Sequence, residues 1–134
     1  MQVTLILALV LHVLSGVFWA GTTFVLARTG GHQADLLFRP QMGAATAAVL
    51  TGVLLWFLVH DGPPGLQEHI LGVGALCALV AAGVQGSSAR ALRQASAAAG
   101  PEGFKPSHRV ATSQRFAAVL LAVTVTCMAA ARYA

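Results

Sequence analysis

The chain reads as four long apolar runs separated by short polar stretches, covering residues 3–27, 41–60, 66–88 and 114–131. Helices of this length suit a hydrocarbon core of ~30 Å at a rise of ~1.5 Å per residue. The first run ends at Arg28 and the turn-prone Thr29-Gly30-Gly31. A polar stretch with His32, Gln33, Asp35 and Arg39 follows, and Pro40 suits an early helical position. Asp61-Gly62-Pro63-Pro64-Gly65 is a tight turn by composition. The longest polar stretch is 89–113, where Arg90 and Arg93 extend the third helix before proline and glycine break it. The pattern predicts an all-α fold: an integral membrane, antiparallel four-helix bundle formed by one domain, residues 1–134.

Composition supports this. Of 134 residues, 57% are hydrophobic and only 9% charged, against roughly 25% charged in soluble domains. The formal charge of +4 would suit nucleic acid if it were spread over a surface. Instead Arg28, Arg39, Arg90, Arg93, Lys105, Arg109 and Arg115 all flank the first and third loops, which share one side in a four-span protein. The other side has Arg132 with Asp61 and Glu68. The positive-inside rule then places both termini and the Asp61 turn outside the cytoplasm, with Trp56 and Tyr133 at the outer interface. A nucleic-acid partner is not expected, and the lipid bilayer is. The N-terminus lacks a basic region and a small-residue cleavage site, so the first helix is expected to be retained.

Small residues punctuate the runs: Gly16/Ala20, Gly43/Ala47 and Ala48/Gly52 at four-residue spacing, with Gly72, Gly74 and Gly83 besides. Such spacing lets helix backbones approach closely in lipid, although a chain this rich in Ala and Gly also produces it by composition alone.

Chemistry centres on His12, an ionisable residue inside the first run. Ser15, Gly16 and Trp19 follow on nearly the same helical face. Hydrocarbon penalises such a residue unless it has a partner, which makes it a candidate site; a packing histidine bonded to a neighbouring helix is the other reading. With each run centred in the bilayer, His12 lies about 4–5 Å outward of the midplane. His60 and His69 sit at the outer ends of the second and third runs beside Asp61 and Glu68, roughly 10 Å further out.

Three arrangements are open. His12 could ligate haem iron, with His69, His60 or no residue as a second ligand and Gly16, Gly21, Gly72 and Gly74 giving room. Alternatively, His60, His69 and an acidic neighbour could bind copper or zinc and pass copper inward to His12 and the thiols of Cys77 and Cys127. In the third, the bundle holds no cofactor and serves as a structural or accessory subunit. The two cysteines lie in apolar runs without a CxxC or zinc-finger spacing, so they predict neither a disulfide framework nor a structural zinc site. His32 and His108 read as surface residues. Walker, G-x-S-x-G and H-E-x-x-H motifs are absent, and no Lys, Arg, Asp or Glu lies deep in a run, which argues against a proton-coupled transporter.

Leu11-His12, six residues, then Trp19-Ala20-Gly21 resembles the first helix of a group of bacterial membrane proteins. The group comprises the copper-resistance protein D family, the four-helix protoporphyrinogen oxidase, and the membrane domain joined to some urate oxidases. The ending Cys127-Met128-Ala129-Ala130-Ala131-Arg132-Tyr133 is similar to small members near the copper-resistance group. The resemblance implies His12 as ligand with Trp19 packed beside it. It also implies a bacterial inner membrane and haem b or copper as cofactor. A membrane redox partner or a homo-oligomer, and an oxidoreductase role, would follow. The lysine that the oxidase pattern carries in a later helix has no counterpart here.

Overall fold

The computed structural model describes Met1–Ala134 and is helical, with no strands. The elements are α1 (Gln2–Arg28), α2 (Ala34–Val59), α3 (Leu66–Ser87), α4 (Ala89–Ala97) and α5 (His108–Ala131). α1, α2, α5 and the α3–α4 unit are each long and apolar enough to cross a membrane.

Local chemistry sets the ends. α1 stops where Gly30 and Gly31 take φ of +66° and +84°, and the Gly31 N–H closes back on the Leu26 carbonyl at 2.8 Å. Gly31 needs its missing side chain for a second reason: a Cβ there would stand 3.3 Å from both Pro106 and Val110. α3 starts where Glu68 Oε2 accepts the Gly65 N–H at 2.8 Å. α5 starts at Ser107, whose hydroxyl accepts the Val110 N–H at 3.4 Å.

Two helices differ from the apolar pattern. α2 begins at Ala34 rather than near residue 41, and α5 at His108 rather than 114. Pro40 is therefore well inside α2, where it lacks the N–H that would reach the Leu36 carbonyl. The reason for the longer helices is a second small core. Leu26, Ala34, Leu92 and Val110 are buried together, with Leu37, Phe38, Ala91 and Phe104 against them. The stretch 89–113 thus contains α4, which tucks Leu92 under the bundle and leaves Arg90 and Arg93 exposed.

Cross-helix hydrogen bonds give the direction of the tight pairs. Late in α1, Thr23 meets Gln41 early in α2; His12, well before Thr23, meets Ala48 and Thr51, well after Gln41. α2 therefore runs back along α1. Gln85 meets Gln114 and Gly74 meets Thr124, so α5 runs back along α3. α1 also packs on α5, whereas α2 and α3 touch only sparsely. The first and third loops, with all the basic residues except Arg132, lie at one end, here called the basic end.

The interior is small and polar, and the exterior large and apolar. Ala45, Ala48, Ala81 and Ala117 surround Trp19 and Leu121 in the main core. Leu14, Leu50, Phe57 and Leu76 face outward. A water-soluble bundle sorts these residues the other way. In lipid, close packing of small residues and hydrogen bonds hold helices together.

Candidate functional site

His12 points from α1 into α2. Its Nδ1 is 2.8 Å from the Ala48 carbonyl oxygen and 3.2 Å from Thr51 Oγ1. A carbonyl oxygen can only accept, so Nδ1 carries the proton and, in the neutral ring, Nε2 carries the lone pair. Nε2 has no hydrogen-bond partner in the protein. Every fully buried side-chain nitrogen or oxygen does have one, so this nitrogen is open to its surroundings. Gly52 makes the contact possible: a Cβ there would lie 3.0 Å from the imidazole Cε1 and 3.4 Å from Nδ1. Ser15 donates to the Leu11 carbonyl of its own helix at 2.6 Å and plays no part in holding the ring.

Trp19 is buried and donates its indole N–H to Gln85 Oε1 at 2.8 Å, rather than bonding His12. This bond opens a network that the sequence pattern did not announce. Gln85 Nε2 reaches Thr23 Oγ1 at 2.9 Å and Gln114 Oε1 at 3.0 Å. Gln41 Nε2 reaches the same two atoms at 2.9 and 3.1 Å, and Gln114 Nε2 returns to Gln41 Oε1 at 3.3 Å. Thr23 donates to the Trp19 carbonyl at 2.7 Å. Gln41, Gln85, Gln114 and Thr23 are each 0% exposed. Because an indole N–H only donates, it fixes which end of the Gln85 amide is oxygen, and the remaining amides follow in turn. One residue from each of α2, α3 and α5 is thus tied to two from α1. The only available signal was one glutamine near the basic-end edge of each later run.

At the opposite end, His60 Nε2 stands 3.8 Å from Glu68 Oε1. The His60 ring stacks on Trp56 with centroids 4.5 Å apart. His69 is exposed and its Nδ1 contacts the Gly65 carbonyl of its own first turn. The 61–65 turn therefore brings His60 to Glu68, but His69 bonds its own first turn and does not join them. His12, His60 and His69 do not meet: nowhere do three His, Cys, Asp or Glu side chains converge enough to hold a metal ion. Cys77 and Cys127 are free thiols, and Cys127 packs where a Cβ on Gly74 would be, 3.0 Å away.

The glycines expected to make room also divide. Gly16, Gly21 and Gly72 have open space where a side chain would project, whereas Gly74 is filled by Cys127 and Thr124. Gly16, one turn beyond His12 on α1, is among the open ones.

Together these features define a multi-pass membrane protein with one inward histidine whose free ring nitrogen is a Lewis base. Comparison with family models, with curated proteins and with solved structures gives no match.

Proposed function

We propose that this is a small bacterial inner-membrane protein that binds haem b through His12 and serves electron transfer. The observation that carries the reading is the His12 ring. Ligating histidines characteristically donate their second ring N–H to a carbonyl or carboxylate, which fixes the tautomer and orients the lone pair. His12 does this with Ala48, and hydrocarbon supplies no donor of its own for Nε2. His12 offers the one axial nitrogen such a group needs, and the space at Gly16 on the same helix is open. Bound there, haem would supply one-electron chemistry. The chain's own contribution is the oriented imidazole, the Gly52 gap that seats it and the apolar surroundings. A copper site at His60 and His69 has less support, because these two and Glu68 do not converge as a set of three. The resemblance to the copper-resistance D group points to the same histidine. The basic loops favour a topology with both termini extracytoplasmic. The partner on this reading is a membrane redox protein or a second copy of the chain.

A second reading is favoured by one observation. The closed glutamine network holds all four spans together with every polar atom engaged against protein, which suits a cofactor-free structural or accessory subunit. The experiment that separates them is a visible spectrum and metal analysis of the detergent-purified protein. A Soret band with near one haem per chain supports the proposal. A colourless protein with stoichiometric copper moves the reading to copper, and a colourless, metal-free protein leaves the accessory role.

A further inference from the structure

The sparse contact between α2 and α3 leaves a groove of about 230 Å³ open to the bundle's outside. Its walls are apolar: Met42, Val49 and Leu50 on α2, Leu79 and Ala82 on α3, with Thr46 the one polar residue. The groove is in the half of the bundle nearer the basic end. Arg39 precedes Met42 by three residues and so shares its helical face. On the other wall, Gly86 follows Ala82 by one turn and has open space around it. Arg90 follows by another turn, in α4. The cluster of Leu37, Phe38 and Ala91 brings α4 against the first turns of α2. Arg39, Arg90 and Arg93 are all exposed, and none has a carboxylate within ion-pair distance.

An apolar trough with unpaired guanidinium groups over one end matches an amphiphile with an anionic head. From Arg39 to Leu50 the face is roughly 16 Å long at ~1.5 Å per residue. That is about half of a ~30 Å hydrocarbon core, the depth of a single leaflet.

We propose that the α2/α3 groove holds one acyl chain of an anionic phospholipid, with its phosphate among Arg39, Arg90 and Arg93. Guanidinium binds phosphate oxygens through paired N–H donors, which suits these residues better than a diffuse positive field would. The site is independent of His12.

The test is native mass spectrometry of the full chain released from nanodiscs of equal phosphatidylglycerol and phosphatidylcholine. The expected result is one retained phosphatidylglycerol per chain. Arg39→Gln/Arg90→Gln/Arg93→Gln should lower retention by about five-fold per arginine. Thr46→Phe, which fills the groove without changing charge, should abolish retention. It also keeps the proposal testable if the triple variant folds poorly. Arg109→Gln/Arg115→Gln, at the basic end but outside the groove lining, should retain the lipid. Equal retention of the two lipids, or equal loss in the Arg109/Arg115 variant, overturns the proposal. Undiminished retention in Thr46→Phe overturns it as well.

Discussion

Replacing Gln114 with Leu probes the feature that ties the four spans together. Gln114 accepts from Gln41 Nε2 and Gln85 Nε2 and donates to Gln41 Oε1. Leucine conserves much of the volume and removes all three bonds. Gln41 Nε2 and Gln85 Nε2 keep Thr23 as a partner, so each loses only one interhelical bond, about 0.6 kcal/mol in membrane proteins. Gln41 Oε1 loses its only partner while 0% exposed, a cost of about 1–3 kcal/mol. The expected destabilisation is about 2–4 kcal/mol. Gln41→Leu similarly orphans Gln114 Nε2, whose only acceptor is Gln41 Oε1. The double variant orphans neither and leaves Trp19, Gln85 and Thr23 bonded to one another. Its destabilisation should therefore fall short of the summed singles by at least about 2 kcal/mol. Reversible unfolding in mixed micelles, titrated with dodecyl sulfate and followed by far-ultraviolet circular dichroism, measures all three. Additive singles, each below about 0.5 kcal/mol, would show that the network contributes nothing to stability and refute the reasoning.

Other substitutions test the helix contacts. Gly74→Ala sets a Cβ 3.0 Å from Cys127 and 3.3 Å from the Thr124 carbonyl, and should cost about 1–3 kcal/mol in the same titration. Gly72→Ala meets nothing and should stabilise by up to about 1 kcal/mol through helix propensity. Gly52→Ala should push the imidazole off Ala48 and abolish the fixed tautomer, read from the nitrogen-15 shifts of the His12 ring; unchanged shifts would mean that Gly52 does not seat it. A reporter fused after Ala134 should be active only outside the cytoplasm, given the basic loops, and activity inside would reverse the orientation.

The apolar runs revealed the spans because lipid demands apolar length whatever the packing. They also gave the ends away from the basic end closely: the turn at 61–65 and the stop of α5 at Ala131. At the basic end they marked where apolarity stops. α2 and α5 continue there as helices beyond it, held by contacts among Ala34, Leu92 and Val110 that come from three separate segments. Small-residue spacing was only partly informative. Ala48 and Gly52 face His12's helix, whereas Gly16 and Gly43 face open space. His12 stood out because it is ionisable, but its partner lies on another helix and no local pattern names it. The glutamines leave little trace in the sequence, because a neutral amide beside a run of apolar residues barely alters the pattern. Their importance rests on four segments meeting at one level.

The most direct test concerns the His12 lone pair. Haem b is added to detergent-solubilised wild type, to His12→Gln and to His12→Ala with and without imidazole. The account predicts a Soret band shifted from that of free haem in the wild type and absent from both variants. In His12→Ala it should return when imidazole occupies the space left by the ring. Identical spectra for the wild type and His12→Ala, or no haem binding by any form, would contradict it and leave His12 as a residue that packs α1 against α2.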